Sequence, residues 1–256
     1  MKRARIEYQG KIYDNAVVTD EQVFTLPNGD QIGASDVTWL APKVGTIIAL
    51  GLNYADHVAE LAFKEPPKEP MIFVKAQSGV TAHKTTCYRP DDIEYMHYEN
   101  ELAAIIGKTA HKVKREDAME YVAGYTIAND YAVRDYLENY YRPNLRVKAR
   151  DSLLPLGPWI VDKEDIDDHK NLAIRTWVNG ELKQEGSTKD MIFDVPFLIE
   201  YLSEFMTLQP GDIICTGTPE GVSDMQPGDT VVCEIEGIGK LENYIVSEAE
   251  YYGDKY

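Results

Sequence analysis

Cysteine is scarce. Three residues in 256, with no Cys-x-x-Cys pair, leave no disulfide framework and no thiolate zinc site. Cys215 and Cys233 lie in apolar, strand-like runs, where a buried free thiol is the usual outcome, and the setting expected is reducing and cytoplasmic. No window approaches the roughly 18 consecutive apolar residues of a membrane span. The basic residues among positions 1–10 are not followed by the apolar run of a secretory signal. Positive charge is also short: 26 Lys and Arg stand against 43 Asp and Glu, a formal charge of −17. Phosphate and anionic lipid repel such a surface, which argues against nucleic-acid and membrane partners. No solenoid period and no low-complexity tract occurs. What remains is an ordinary globular composition, 44% hydrophobic and 27% charged, long enough to enclose a full core.

The patterning predicts a mixed-β core with a few peripheral helices, not a doubly wound sheet. Residues 1–42 read as a small N-terminal β segment with a turn at Asn28-Gly29-Asp30, and 43–256 as the main domain. Strands are expected over 44–50, 71–74, 99–106 and 125–128. A short helix over 56–63 is stopped by Pro66, Pro67 and Pro70, and another over 116–122 by a cap at Gly124. Residues 172–178 and 181–184 flank Asn179-Gly180, a favoured two-residue hairpin turn. Asp194 and Pro196 start a helix with Phe197, Leu198, Tyr201, Leu202 and Phe205 on one face. Gln-Pro-Gly-Asp occurs twice, at 209–212 and 226–229, each time feeding a strand.

Glu99-Asn100-Glu101 is the most informative triplet. On a strand, residues i and i+2 share a face, so both carboxylates project together from bases about 7 Å apart. Like charges so placed call for a cation or a proton between them. A solvent-facing polar strand is the alternative, and the apolar run 102–106 weighs against it. Asp130, at the end of the next strand, adds a third carboxylate, making a hard oxygen site suited to magnesium or manganese. His97 can share that face as a nitrogen ligand, or be a packed histidine beside it.

His57 and Glu60, three apart on a helix, form either a proton-transfer pair or a surface ion pair, and the Pro-rich loop beside them makes the segment a lid candidate. Residues 134–150 invert the local charge, with Arg134, Arg142, Arg146, Lys148 and Arg150 against Asp135 and Glu138. Guanidinium forks there suit the carboxylates of a small anionic substrate. Ion pairing or a subunit contact anchored by Tyr136, Tyr140 and Tyr141 explains the stretch equally well. Backbone N–H groups of the Thr216-Gly217-Thr218-Pro219 turn can hold an oxyanion, and ordinary turn geometry accounts for it as readily.

In order along the chain come Gly51-Leu52-Asn53-Tyr54 with His57 and Glu60, Phe73-Val74-Lys75, His97-Tyr98-Glu99-Asn100-Glu101-Leu102, Asn129-Asp130-Tyr131 with Arg134-Asp135, Lys148, and Gly217-Thr218-Pro219-Glu220-Gly221. This series resembles the fumarylacetoacetate hydrolase family over about residues 44–246. Longer strings at 135–148 and 201–208 look like the metal-binding half of its fused, tandemly duplicated isomerase/decarboxylases of homoprotocatechuate (4-hydroxyphenylacetate) catabolism. The resemblance implies a mixed β-sandwich roll holding Mg2+ or Mn2+ on Glu99, Glu101 and Asp130, with His57 and Glu60 on a lid and Lys148 in the site. It gives His97 no ligand role. Correspondence to one half implies a homodimer or higher homo-oligomer. The expected activity is isomerisation or decarboxylation of 2-oxo or 2-hydroxydienoic di- or tricarboxylates, with His57 and Glu60 moving the proton, Lys148 balancing charge, Thr218 in the oxyanion turn and one of Arg142, Arg146 or Arg150 on the distal carboxylate. Acylpyruvate-type carbon–carbon hydrolysis and a non-catalytic metal-binding partner subunit are the alternatives.

Overall fold

The computed structural model describes residues 1–20, 23–60, 65–137 and 145–253. From the N-terminus come β1 (Lys2–Tyr8), β2 (Lys11–Asp20), β3 (Val23–Thr25), β4 (Gln31–Gly33), β5 (Thr38–Leu40), β6 (Ile47–Gly51), the short helix α1 (Ala55–Glu60) and β7 (Met71–Lys75). The middle of the chain holds β8 (Val80–Thr81), β9 (Thr86–Arg89), β10 (Met96–His97), β11 (Asn100–Ile106), β12 (Val122–Asn129), β13 (Ala132–Val133), α2 (Leu145–Lys148) and β14 (Leu154–Asp162). The last part adds β15 (Ala173–Val178), β16 (Glu181–Ser187), α3 (Val195–Phe205), β17 (Ile213–Cys215), β18 (Thr230–Ile235), β19 (Gly239–Ser247) and α4 (Glu248–Tyr252).

Among the described residues these strands build a twelve-stranded sheet in the order β4-β3-β2-β1-β14-β12-β11-β17-β6-β7, with β5 on β1 and β8 on β14. A second sheet runs β16-β15-β18-β19-β9, and β10 pairs with β13. Pairing is mixed: β17–β6 and β19–β9 are parallel, most of the rest antiparallel. The architecture is therefore the mixed-β fold with peripheral helices that the sequence predicts. The first forty residues extend the large sheet through β1–β14, with Ala4, Ile6, Phe24 and Trp39 in the main core.

Strand β11 shows how the layers are joined. Leu102, Ala104 and Ile106 enter the main core, while Ala103 and Ile105 belong to a smaller cluster with Ile47, Ala49, Ala128, Ile213 and Cys215. Both faces are buried, which is why the sequence shows an unbroken apolar run there. Asn100 donates from this strand to the carbonyls of Arg175 (2.9 Å) and Glu234 (3.2 Å) in the second sheet. The residues on either side, Glu99 and Glu101, are thereby turned the other way.

The Asn179-Gly180 hairpin forms as expected, pairing Val178 with Glu181. The two Gln-Pro-Gly-Asp turns close identically: Asp212 and Asp229 each accept from the N–H of the glutamine three residues earlier at 2.7 Å. Three expectations are corrected. Residues 115–121 form a 3-10 helix, and Gly124 lies inside β12, not at a cap. A Cβ on Gly124 would come within 2.3 Å of the Val161 carbonyl oxygen, so glycine serves the close approach of β14. On α3, capped by Asp194 as expected, the buried side chains are Val195, Leu198, Ile199 and Leu202. Phe197, Tyr201 and Phe205 instead stack along its outer flank, with Phe205 64% exposed. Of the helix expected over 56–63, the part beyond Glu60 lies outside the described residues. No helix among the described residues is long and apolar enough to cross a membrane.

Candidate metal centre

Glu99, Glu101 and Asp130 are all buried, and one oxygen of each lies within 4.8 Å of the others. The local fold explains this. Asn129 pairs with Asn100 across β11–β12, its side-chain oxygen accepts from Glu99 N–H (3.0 Å), and Asp130 N–H donates to the Glu99 carbonyl (2.9 Å). The end of β12 is thus folded onto the start of β11, and the third carboxylate falls beside the other two.

Lys148, the last residue of α2, reaches into the cluster. Its ammonium donates to Glu99 Oε2 (2.5 Å) and lies 3.1 Å from Asp130 Oδ2. Lys75, at the end of β7, donates to Asp130 Oδ1 and to the Leu153 carbonyl. In sheet order β7 stands four places from β12. At about 4.8 Å per strand, a flat sheet would hold them on the order of 19 Å apart. The ion pair exists only because the sheet curls, and it closes that curl.

Three carboxylates share the cluster with three cations, Lys75, Lys148 and Arg134. Burial opposes ionisation of Glu99, but Lys148, His97 and Arg134 more than offset it and hold the carboxyl below its usual range. Burial, with Asp130 and Glu99 nearby, pushes the Glu101 carboxyl well above its usual range. Lys148 is opposed by burial yet raised by Asp130 and Glu99, while burial lowers Lys75. Glu101 Oε1 is fully buried with no partner, and Asp130 Oδ2, equally buried, accepts no hydrogen bond and has only the Lys148 ammonium beside it at 3.1 Å. A buried oxygen without a partner is rare in folded proteins, and a hard divalent cation is the species that satisfies three convergent carboxylates. The residues fit such an ion.

His97 is fully buried and uses both nitrogens elsewhere. Nδ1 bonds the Tyr98 carbonyl (3.0 Å) and Nε2 accepts from Arg134 Nε (2.7 Å). It lies outside the metal-ligand cluster and plays the packed-histidine part. Arg134, which the sequence places in the basic stretch and the resemblance series without a site role of its own, has NH2 3.4 Å from Glu99 Oε1 and keeps its side chain 23% exposed. Its place is set by β10–β13 pairing (His97↔Ala132) and by its own N–H on the Tyr95 carbonyl.

The other basic residues diverge. Arg146 and Arg150 are one helical turn apart and both lie over the Tyr136 ring, with guanidinium carbons 3.7 and 4.8 Å from its centroid. Lys148, between them, points to the carboxylates. Arg142 lies outside the described residues. Thr218 is buried and its hydroxyl accepts from Gln184 Nε2 (2.8 Å), while the Gly217 N–H donates to Glu101 Oε2 (2.8 Å).

Helix α1 brings His57 and Glu60 to the same region. His57 is 3% exposed and its Nδ1 lies 2.8 Å from Glu60 Oε2, so it is no surface pair. The other oxygen, Oε1, accepts from Gly221 N–H (3.0 Å) in the loop after β17. Asn53 anchors the start of the segment by bonding Phe193 and Thr216. Lys75, which stands in the resemblance series with Phe73 and Val74, is given no role there. Its physical signal in sequence is a lysine closing an apolar strand, which burial obliges to find an anion.

The family model described as fumarylacetoacetate (FAA) hydrolase C-terminal matches residues 46–246. A 4-hydroxyphenylacetate degradation bifunctional isomerase/decarboxylase of Salmonella dublin is 66% identical over 211 residues, covering 82% of this chain and 49% of that protein. The chain thus spans about half the length of that relative. A solved 5-carboxymethyl-2-hydroxymuconate delta-isomerase from Mycobacterium smegmatis superposes with a TM-score of 0.86 at 35% identity, covering 97% of this chain and 99% of that one. Maleylpyruvate hydrolase from Sphingobium sp. SYK-6, solved with manganese (II) and pyruvate, gives 0.80 at 28% identity, over 96% and 99%.

Proposed function

The chain belongs to the fumarylacetoacetate hydrolase family, and on that premise we propose that it is a divalent-metal-dependent isomerase and decarboxylase of 2-oxo or 2-hydroxydienoic di- or tricarboxylates, acting in the cytoplasm in aromatic catabolism. The carrying observation is the buried triad Glu99, Glu101 and Asp130, flanked by Lys148, Arg134 and the His57–Glu60 pair. When bound there, Mg2+ or Mn2+ supplies Lewis acidity toward a 2-oxo carboxylate.

The protein's own groups do the rest. Glu60 holds His57 Nδ1, which leaves Nε2 as the atom that gives or takes a proton. The Gly221 N–H fixes Glu60, so the imidazole is presented in one orientation. The Lys148 ammonium balances negative charge as the 2-oxo oxygen becomes enolate-like. In decarboxylation the carbon–carbon bond to the departing carboxylate breaks, its electron pair enters the enolate, carbon dioxide leaves and His57 returns a proton to carbon. In isomerisation His57 moves a proton between carbons of the dienol. Arg134, at the rim beside Glu99, is the guanidinium placed to receive a substrate carboxylate, a role its geometry favours over Arg146 and Arg150. The chain is proposed to act as a homodimer or higher homo-oligomer, which light scattering on purified protein tests.

Product analysis tests the activity. Protein stripped by chelator and reloaded with Mg2+ or Mn2+ is given a dienoic tricarboxylate and an acylpyruvate. Carbon dioxide or an isomerised dienoate supports the proposal. Release of pyruvate supports hydrolysis, the second reading, which the likeness to the maleylpyruvate hydrolase favours. No turnover of either substrate with metal bound would point to a non-catalytic partner subunit.

A further inference from the structure

Each carboxylate of the triad has an oxygen hydrogen-bonded to a donor of the protein. Asp130 Oδ1 takes the Lys75 ammonium, Glu101 Oε2 takes the Gly217 N–H at 2.8 Å, and Glu99 takes Lys148 on Oε2 at 2.5 Å and Arg134 on Oε1 at 3.4 Å. Of the opposite atoms, Glu101 Oε1 has no partner, and Asp130 Oδ2 accepts no hydrogen bond and has only the Lys148 ammonium, at 3.1 Å. The donors are not equivalent. Lys148 is shared between Glu99 and Asp130, and the Gly217 N–H is backbone. Lys75 alone combines a side chain of zero exposure, a second anchor on the Leu153 carbonyl at 3.2 Å, and a single carboxylate partner.

Resting on the metal-centre reading above, we propose that Lys75 is a positioning residue that confines Asp130 to ligation through one oxygen, and so biases the triad toward small six-coordinate cations and against Ca2+. The chemistry is direct. Ca2+ takes six to eight oxygens and readily accepts carboxylates through both atoms, whereas Mg2+ holds to six at shorter distance. A carboxylate with one oxygen fixed on a buried ammonium has only the other to offer. Because Lys75 arrives from the far side of the curled sheet, its hold on Oδ1 is part of the fold and precedes any ion.

The test reads metal binding, not turnover. Mn2+ affinity is measured by electron paramagnetic resonance, and Ca2+ and Mg2+ by competition against it, in the parent and in Lys75→Met. Removing an ammonium strengthens every dication alike, so the quantity that reports positioning is the ratio of Ca2+ to Mn2+ affinity. In Lys75→Met that ratio should rise about 10-fold or more, the scale seen when a partner of a metal ligand is lost. Folded Lys75→Met with the parent's ratio would overturn the proposal and leave Lys75 a charge-balancing staple. If the variant does not fold, a structure of the Mn2+-loaded parent decides. Asp130 bound through Oδ2 with Oδ1 still on Lys75 supports the proposal, and Asp130 bound through both oxygens overturns it. A parent that binds neither Mn2+ nor Ca2+ would instead sink the metal-centre reading itself.

Discussion

The floor of the candidate site and the helix beside it are secured in different ways. Glu99, Glu101 and Asp130 stand on paired strands and are held by Asn129, Lys75, Lys148 and the Gly217 N–H, all buried. The His57–Glu60 pair on α1 is held by its own bond and by the N–H of Gly221, with Glu60 26% exposed. A buried network of charges is costly to rearrange, while a six-residue helix anchored at its start by Asn53 and at its end by a partly exposed carboxylate has fewer contacts to break at that end. The floor is suited to keeping an ion, and α1 to adjusting around a substrate.

The sharpest way to break this contrast is Glu101→Ala. It should weaken Mn2+ binding by more than about 100-fold, beyond the loss expected for a partner of a ligand, and bring turnover to background; calorimetry with a chelator control measures it. His57→Ala should separate the regions, lowering kcat by about 10²–10⁴ while Mn2+ affinity stays that of the parent. Equal loss of metal in both variants would mean that α1 is part of the floor.

A smaller effect distinguishes the inward from the outward arginines. Arg134→Met should raise KM for a dicarboxylate by roughly 10- to 150-fold, the equivalent of about 1.5–3 kcal/mol for a charged hydrogen bond. Arg146→Met, which removes only a stack on Tyr136, should leave both constants within about threefold. Steady-state kinetics on a dicarboxylate and a monocarboxylate decide between them.

The smallest effect concerns acid. Burial pulls His97 down to about 3, with Glu99 opposing and Arg134 and Lys148 assisting. Folded His97 therefore stays neutral, while the unfolded chain takes up its proton below about pH 6.5. The stability it contributes is complete above that pH and is lost as pH falls from 6.5 toward 3. His97→Gln should flatten the decline of unfolding free energy across this window by up to about 1.4 kcal/mol per pH unit, read from urea melts at pH 7, 6 and 5. An unchanged slope would show that the floor admits water around His97.

Much of this was legible in the residues. Period-two alternation put Glu99 and Glu101 on one face and Asn100 on the other, since side-chain direction on a strand is local geometry. The Asn179-Gly180 hairpin and the twin Gln-Pro-Gly-Asp turns followed from backbone preferences carried by the residues themselves. The fate of Gly124 was not legible, because its reason is the Val161 carbonyl of another strand. The aromatic flank of α3 was misassigned because helical spacing groups residues on a face without saying which face meets the core.

The sequence by itself determined the strand faces, the turns and the presence of three carboxylates near two strand ends, all consequences of neighbours in the chain. Tertiary structure alone decided which cations reach them. Lys75 meets Asp130 because the sheet curls back on itself across the four places between β12 and β7. Arg134 rather than Arg146 or Arg150 meets Glu99 because β10–β13 pairing sets its place, while α2 sends Lys148 inward and its neighbours outward. Strand order and curvature follow from the burial of the whole apolar surface at once, a sum over the molecule that no short stretch of residues encodes.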